Sequence, residues 1–370
     1  MSRPRDDQPT ETERTMPQAG EIAPARGSAV AAGSAPDVKL IERFARLTGA
    51  VAALEAELRA RQAAYLAAAQ RPDGGFAGRL GESDCYYTAF GLTGLLWLGE
   101  LNERRAARAA TFVASQATRA LGAVDVVAMV ATAAMLRAAG LANVLAEART
   151  DAAAILRPAL EPLRRDDGGY AKTRQSGPSS TYQTFLALAG WRLAGVEPPE
   201  AEATAAMLRR RQRVDGGFVE LDAMRHSGTS PTAAAIGGLA LLDRLDEPTA
   251  RRAAEFLAEM QSSDGGFRAN TRVPFGDLLS TFTALAALDG MGRSGLVDCR
   301  LAARFVASLE QPGGGFVAGE WDDQPDVEYT FYGIGALALC AVAEGAPPSA
   351  PREPSAAREG IEGAGNELPQ

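Results

Sequence analysis

A turn motif of the form Asp-Gly-Gly-aromatic recurs along the chain at a nearly constant spacing. Its aromatic residues are Phe76, Tyr170, Phe218, Phe267 and Phe316, and the last copy has Gly in place of Asp. The intervals between these aromatics are 94, 48, 49 and 49 residues. Because 94 is twice 47, one copy has lost the motif near Gly122, and the spacing predicts six repeating units.

Two further positions repeat in the same frame. Glutamine stands six residues before the aromatic at Gln70, Gln212 and Gln261, with Gln116 at the equivalent place in the degenerate unit. Threonine follows the motif at Thr88, Thr184, Thr232, Thr281 and Thr330, with Met129 in the degenerate unit. Both frames support the same period.

Each unit contains two helical patterns of different character. The helix before a turn is amphipathic, as Ala253, Phe256, Leu257 and Met260 illustrate. The helix after a turn, such as residues 232–242, is apolar nearly all round and must be covered on most sides. We therefore predict an all-α fold, an α/α toroid of six helical hairpin repeats with the apolar helices inside. A linear solenoid of the same hairpins is the alternative. Small residues would let the inner helices pack closely: Gly237, Gly238, Ala286, Ala287 and Gly335.

The two ends of the chain differ in composition from the repeats. Residues 1–38 and 345–370 are rich in Pro, Gly, Ala, Ser and charge, which predicts disordered tails around a toroid at 39–344. The N-terminus lacks the apolar segment of a secretory signal. The most apolar stretches are shorter than the roughly 18 uncharged residues of a membrane span. These features predict a cytoplasmic protein without a membrane span.

Charge and cysteine content exclude other classes. A net charge of -8 and a pI near 5.0 argue against a nucleic-acid partner, which requires a basic surface. Cys85, Cys299 and Cys340 are widely spaced and form no CxxC pair. The sequence therefore predicts neither a disulfide framework nor a cysteine zinc site.

Aromatic residues recur on the inner helices: Phe90, Phe185, Phe282, Phe331, Trp97, Trp191 and Tyr332. They could be ordinary core, but in a ring some of them would line a central pocket suited to an apolar chain. The N-termini of the inner helices would meet at one mouth of the ring, where free N–H groups favour anions. Basic residues on the loops there could hold a diphosphate or be solvated: Arg79, Lys172, Arg174, Arg225, His226, Arg268 and Arg272.

Acidic residues also gather at this predicted mouth. The sixth loop contains Trp321, Asp322, Asp323, Asp326 and Glu328. It could hold a magnesium ion or a cationic group, or its carboxylates could be solvated. A single position of the repeat lies four residues before the repeat threonine, near the start of each inner helix. In the six units it is occupied by Asp84, Asp125, Ser180, Gly228, Asp277 and Asp326. These residue types are typical of helix N-caps, so we predict a capping role for this position.

The Asp-Gly-Gly-Phe turns at this period resemble those of protein prenyltransferase β subunits and, more distantly, of squalene-hopene cyclases. The resemblance covers residues 45–343, and the segment from Phe316 to Leu339 is particularly similar to the geranylgeranyl transferase type II β subunit. The resemblance implies an isoprenoid diphosphate as ligand and a helical-repeat α subunit as a possible partner.

The resemblance also indicates which site residues to expect. The three zinc-ligand positions of that family correspond to Asp277, Leu279 and Tyr329 in this sequence. Only Asp277 has the residue type that the family uses as a ligand. We therefore do not expect a zinc site. Arg272 resembles an arginine with which the family contacts the diphosphate, but it is displaced by about one place in the sequence. His226 lies close to the position of a family histidine that also faces the diphosphate. The predicted substrate-binding residues are Arg225, His226, Arg268, Arg272, Phe282, Tyr329 and Phe331.

Three functions remain open from the sequence. The first is binding of an isoprenoid diphosphate in a central apolar cavity, with or without transfer of the prenyl group. The second is a non-catalytic scaffold or ligand-binding toroid. The third is a terpene cyclase, although the Asp-x-Asp-Asp acid motif of that branch is absent and Trp321-Asp322-Asp323 is the nearest sequence.

Overall fold

The computed structural model describes residues 46–345, except 118, 120, 143, 148 and 149. The tail predicted at 1–38 and nearly all of the tail predicted at 345–370 lie outside the described residues. A short helical stretch over 46–52 precedes the repeats.

Thirteen α-helices occupy the described part of the chain, and they alternate between an inner and an outer layer. The six inner helices are α2 (Cys85–Trp97), α4 (Ala123–Ala138), α7 (Thr181–Leu193), α9 (Thr229–Leu241), α11 (Leu278–Gly290) and α13 (Val327–Gly345). The outer layer contains α1 (Ala56–Ala69), α3 (Glu103–Gln116), α5 (Val144–Glu147), α6 (Ala152–Leu160), α8 (Ala201–Arg210), α10 (Glu247–Glu259) and α12 (Cys299–Ser308). Short 3-10 turns lie at Glu161–Leu163 and Ser294–Leu296.

The repeat threonine explains how each turn is attached to the inner helix that follows it. In the fifth unit, Thr281 Oγ1 accepts a hydrogen bond from the Phe267 N–H at 2.9 Å and donates to the Asp277 carbonyl at 2.7 Å. Equivalent bonds are made by Thr88, Thr184, Thr232 and Thr330. The aromatic residue is thereby fixed and buried; Phe267 has no exposed surface. Burying one such side chain contributes about 1.5–3 kcal/mol.

Backbone pairing reinforces the same attachment. The strand β1 (Phe267–Arg268) pairs antiparallel with β2 (Gly276–Asp277), so that Phe267 lies opposite Asp277. Isolated bridges join the aromatic to the same repeat position in four other units: Phe76 to Asp84, Tyr170 to Ser180, Phe218 to Gly228 and Phe316 to Asp326.

The repeat glutamine joins each turn to the outer helix of the next unit. Gln212 Nε2 donates to the carbonyl of Gly216 in its own turn and to that of Thr249 in α10. Gln70 makes the equivalent bonds to its turn and α3, and Gln261 to its turn and the residue preceding α12. In these three units the glutamine therefore binds the turn to the unit that follows.

The last unit is bound to the first, which closes the ring. Gly315 N–H donates to Gln62 Oε1 in α1 at 2.8 Å, and Gln62 Nε2 donates to Glu310, which stands at the repeat glutamine position. Helix α13 packs against both α11 and α2, so the six inner helices form a continuous circle. The closed toroid predicted from the spacing is confirmed, and the linear solenoid is excluded.

Small residues let neighbouring inner helices approach as predicted. A Cβ at Gly237 would lie 2.8 Å from the ring of Phe185, and one at Gly335 would lie 2.6 Å from the ring of Phe282. Helix α13, with 19 residues, is long and apolar enough to span a bilayer by length and composition. Most of it is buried among the other helices of the toroid, as expected of a core helix.

Candidate functional site

The N-termini of the inner helices meet at one mouth of the ring. Most residues at the repeat position before these helices cap them. Asp84, Ser180, Asp277 and Asp326 each accept a backbone N–H in the first turn of α2, α7, α11 and α13. Gly228 precedes α9 and has no side chain to cap it. Four of the predicted capping residues are thus confirmed.

The prediction that Asp125 is a cap is wrong. Helix α4 begins at Ala123 after the N-cap Gly122, which places Asp125 inside the first turn. The nearby backbone N–H of Tyr86 in α2 acts to lower the pKa of the Asp125 carboxyl, but burial outweighs this effect and the pKa is raised. The degenerate unit has no Gly-Gly-aromatic turn to set where the helix starts, so the helix extends further back.

An arginine from the first turn binds the acidic sixth turn. Arg79 Nη1 donates to Asp322 at 2.9 Å and Arg79 Nε donates to Asp326 at 3.1 Å. The guanidinium carbon also lies 5.9 Å from the centre of the Tyr329 ring. The cationic group held by this loop is therefore Arg79, which links the first and last turns across the mouth.

The two aspartates differ in their titration. Burial acts to raise the pKa of Asp322, but the hydrogen bonds from Arg79 and from two backbone N–H groups outweigh it, and the pKa is lowered. For Asp326, burial dominates and the pKa is raised in spite of Arg79. The mouth therefore contains a positive charge that is already neutralised and a carboxyl that retains its proton more readily than usual.

A glutamate surrounded by tyrosines lies next to this ion pair. Glu328 Oε1 accepts hydrogen bonds from Tyr86 Oη at 2.7 Å and from Tyr332 Oη at 2.8 Å. Tyr182 in α7 extends the array, because it lies close enough to Tyr86 for the two hydroxyls to interact. Burial raises the pKa of the Glu328 carboxyl above its ordinary value, although the tyrosine hydroxyls act in the opposite direction.

Aromatic side chains fill the part of the toroid beneath Glu328. Phe331 lies at the centre of this aromatic cluster, with ring centroids 4.7 Å from Trp97, 5.0 Å from Phe90 and 5.4 Å from Phe282. Tyr332 stacks on Phe282 at 5.2 Å. Phe90, Phe282 and Phe331 are only half-buried, although outer helices cover the other face of the inner ring. The remaining exposure of these three rings therefore faces the centre of the toroid.

The structure separates the predicted substrate-binding residues into two groups. Phe282, Tyr329 and Phe331 come together in or beside the aromatic cluster. The predicted basic residues lie elsewhere: Arg225, His226 and Arg272 are exposed on loops, and Arg268 donates to the Glu259 and Met260 carbonyls at the end of α10. Of the other aromatics considered, Trp191 belongs to the core, where its Nε1 donates to Tyr170 Oη.

The residues at the family's zinc position do not fit a zinc ion. One Asp277 oxygen accepts the Ser280 N–H and the other accepts the Ser280 hydroxyl, both at 2.7 Å. The neighbouring positions offer the side chains of Leu279 and Tyr329 in place of a thiolate and an imidazole. Within the described ranges, no group of three or more His, Cys, Asp or Glu side chains could hold a metal ion.

Sequence reasoning missed Tyr86 and Tyr182, which belong to the polar array around Glu328. Aligning the repeats on their threonine would have revealed them, because Tyr86, Tyr182 and Glu328 all stand two residues before it. In a closed ring, equivalent positions in the first turn of each inner helix face a common axis. A repeat position that holds polar side chains on otherwise apolar helices is therefore a signal for a central site.

Comparisons with known proteins agree with this architecture. The model of the prenyltransferase alpha-alpha toroid domain matches residues 47–353. Protein geranylgeranyltransferase-I from Candida albicans, solved with GGPP, superposes with a TM-score of 0.58 at 17% identity, covering 76% of this chain and 91% of that one. A type II terpene cyclase from Scytonema, solved with geranylgeranyl dihydroxybenzoate, gives a TM-score of 0.54 at 16% identity, covering 82% and 99%.

A third similar structure limits what these likenesses show. The GH76A alpha-1,6-mannanase from a Salegentibacter species has a TM-score of 0.56 at 11% identity, covering 77% of this chain and 98% of that one. A comparison with curated protein sequences finds no match. At such identities the superpositions show the fold, while the matched family model spans most of the sequence. The chain belongs to the prenyltransferase alpha-alpha toroid family.

Proposed function

We propose that the toroid binds an isoprenoid diphosphate, with its prenyl chain against the aromatic cluster at the centre of the ring. The observation that carries the proposal is the half-burial of Phe90, Phe282 and Phe331 on helices whose other faces are covered. Each methylene that leaves water on binding contributes about 0.8 kcal/mol, so an extended chain gains much from such a surface.

The ligands of two similar structures support a binding site for a prenyl chain more than a site for a particular head group. The Candida albicans enzyme was solved with GGPP and the Scytonema cyclase with geranylgeranyl dihydroxybenzoate. Both ligands carry a geranylgeranyl chain, and their head groups differ. For the diphosphate, the predicted basic residues that remain exposed are Arg225, His226 and Arg272, whereas Arg79 is engaged by Asp322 and Asp326.

Equilibrium binding with three ligands tests the proposal: farnesyl diphosphate, geranylgeranyl diphosphate and geranylgeraniol. We expect saturable binding of the diphosphates, weakened at least about tenfold in Phe331→Ala because an aromatic wall is lost. Phe275→Ala is the matched control, since Phe275 is exposed and stacks on Trp321 outside the cluster. Absence of saturable binding for all three ligands would contradict the proposal.

A combined variant separates the head group from the chain. Replacing Arg225, His226 and Arg272 with alanine is expected to weaken binding of the diphosphates and to leave geranylgeraniol unaffected. Equal weakening of all ligands would show that these residues do not contact the head group. Transfer of the prenyl group is measured separately in the same samples with a cysteine-containing peptide, since the described residues contain no group that could hold a zinc ion to activate its thiol.

A second candidate, proton-initiated cyclisation, is favoured by Glu328. Burial raises the pKa of its carboxyl above the ordinary value, and Tyr332 connects it to the aromatic cluster. The carboxyl O–H would donate its proton to a terminal alkene carbon, and the carbocation that forms would face the rings of Phe282 and Phe331. The next double bond of the chain would attack this carbocation and close a ring. Loss of a proton from a carbon next to the new cationic centre would then give a neutral cyclic product.

Deuterium incorporation distinguishes this candidate from simple binding. After incubation with geranylgeranyl diphosphate in D₂O, a cyclic product would contain one deuterium from the acid. Glu328→Gln should abolish that product and retain ligand binding. Unchanged ligand recovered from wild-type protein would rule out cyclisation and leave the binding proposal intact.

A further inference from the structure

Two cysteines that are far apart in sequence come together between the last outer and the last inner helix. Cys299 is the first residue of α12 and Cys340 lies in the second half of α13, and these helices pack against each other. Their thiols interact with one another, and both side chains belong to the same buried core cluster. Both residues are buried, with Cys340 only 2% exposed and Cys299 8% exposed.

Only one of the two thiols borders an opening to the surface. A cavity of about 240 Å³ is lined by Ser294, Val297, Cys299, Arg300 and Glu344, among others. Cys299 Sγ lies 3.9 Å from the Ser294 carbonyl at the wall of this cavity. Cys340 is not part of the lining, so a small reagent that enters meets Cys299 first.

The environment favours the thiolate at the same cysteine. The hydrogen bond from Cys340 lowers the pKa of the Cys299 thiol, against the effect of burial and of the Glu344 and Asp298 carboxylates. The pKa of Cys340 is raised by the same contact and by burial. Thiolate character and access together determine which cysteine is oxidised.

We propose that Cys299 and Cys340 form an oxidisable dithiol, in which Cys299 reacts with hydrogen peroxide or a small hydroperoxide entering the cavity and Cys340 resolves the product. The Cys299 sulfur attacks one peroxide oxygen, the O–O bond breaks, and a sulfenic acid and hydroxide form. The Cys340 sulfur then attacks the Cys299 sulfur, the S–O bond breaks, and the hydroxyl leaves as water with the Cys340 proton. With hydrogen peroxide the net products are a disulfide and two water molecules, and with an organic hydroperoxide an alcohol replaces the first of these waters.

The disulfide would enclose a functionally important segment. Residues 299–340 include Asp322 and Asp326, which bind Arg79, and Glu328 with its tyrosine ligands. Oxidation at the back of the last hairpin would therefore tie together the two helices that flank the sixth turn.

Mass spectrometry of the full-length protein after treatment with hydrogen peroxide tests the dithiol. We expect the wild-type mass to fall by two hydrogen atoms and peptide mapping to find a Cys299–Cys340 crosslink. Cys340→Ser should instead gain one oxygen on Cys299 and react with a sulfenic-acid-specific diketone. Cys299→Ser should show neither change.

Cys85 provides an internal reference. It is 1% exposed, and burial raises the pKa of its thiol to about 12, so Cys85→Ser should leave the crosslink unchanged. Circular dichroism before and after treatment confirms that the protein is folded in each sample. Oxidation of Cys85 as fast as Cys299, or a folded wild-type protein whose mass is unaltered by peroxide, would overturn the proposal.

Discussion

At the scale of single residues, a threonine hydroxyl determines where each turn joins its inner helix. Thr281 satisfies the buried N–H of Phe267, and valine at this position keeps the shape but removes the acceptor. An unsatisfied buried donor costs about 1–3 kcal/mol, so we expect Thr281→Val to lower the free energy of unfolding by that amount. Urea denaturation measures the change.

Thr283→Val in the same helix is the matched control. Thr283 Oγ1 donates to backbone carbonyls of its own helix, those of Leu279 and Ser280, and accepts no backbone N–H. We expect a clearly smaller effect. Equal effects of the two substitutions would contradict the role assigned to the repeat threonine. Met129 stands at this position in the one unit that has no Gly-Gly-aromatic turn to attach.

Glu328 leads to a prediction about pH. Burial raises its pKa above the ordinary 4.5, so the folded protein keeps the proton over a range in which the unfolded chain releases it. This carboxyl therefore stabilises the fold most at low pH, and its contribution falls as pH increases above 4.5. Gln at this position cannot ionise and can still bond both tyrosines.

We expect the stability of Glu328→Gln relative to wild type to increase between about pH 4 and about pH 8. Thermal denaturation across that range measures the difference. Subtracting the wild-type curve removes the contributions of other buried carboxyls such as Asp326. The exposed Glu320→Gln serves as control. A difference that stays constant or declines with pH would contradict the burial of an ionisable Glu328.

Residue types that depart from their repeat position were beyond sequence reasoning. Arg211 occupies the place that Met260 and Leu309 hold in later units, yet it is buried, and its guanidinium bonds Thr181, Ser179 and the Glu220 carbonyl. Its partners come from two different units. A pattern of residue types along one chain contains no information about such pairs.

At the scale of elements, the turn glycines set how closely one unit approaches the next. Gly265 has φ of +99°, and a Cβ there would lie 2.2 Å from the Leu301 carbonyl oxygen in α12. Gly292 also has a positive φ, +67°, but nothing lies within 4 Å of its Cβ position. The two glycines therefore separate backbone strain from steric overlap.

We expect Gly292→Ala to cost about 1–2 kcal/mol through strain alone. Gly265→Ala adds an overpacking term and should cost about 2–5 kcal/mol in total. Chemical denaturation of both variants provides the comparison. Similar losses at the two sites would mean that the turn does not press against α12.

The alternation of amphipathic and apolar helices was predictable from the sequence because each layer has its own solvent exposure. The helix boundaries in the degenerate unit were not, as Asp125 shows. The pairing of α12 with α13 follows from the hairpin repeat, but the meeting of Cys299 with Cys340 depends on which faces the two helices present.

At the scale of the whole molecule, closure depends on the bonds between α1 and the sixth turn. Gln62 is fully buried and satisfies both Gly315 N–H and Glu310. Methionine at this position is similar in size but cannot bond either group. We expect Gln62→Met to cost about 1–3 kcal/mol and to preserve a single unfolding transition.

Hydrogen exchange identifies the segments that lose stability in Gln62→Met. In a closed ring, faster exchange should appear in both α1 and the sixth turn, which are about 250 residues apart in sequence. Arg61→Ala, which removes only the exposed partner of Glu310, should have a smaller effect. Faster exchange confined to α1 would indicate that the ends of the chain are not mutually dependent.

Closure of the ring was predictable from the count of six repeating units and from the family resemblance, and the residues at the centre of the ring were predictable in part. Phe282 and Phe331 were predictable as inner-helix aromatics. The engagement of Arg79 by Asp322 and Asp326 was not, because the two turns are neighbours only after the ring has closed. That ion pair removes one positive charge from those predicted to meet a diphosphate.

A photoreactive geranylgeranyl diphosphate, with a diazirine on its last isoprene unit, would report where a bound prenyl chain lies. After irradiation and peptide mapping, we expect label on segments that contain Phe90, Phe282 or Phe331, and we expect unlabelled ligand to displace it. Label confined to the exposed surface around Phe275 and Trp321, or label that unlabelled ligand does not displace, would contradict a prenyl site at the centre of the ring.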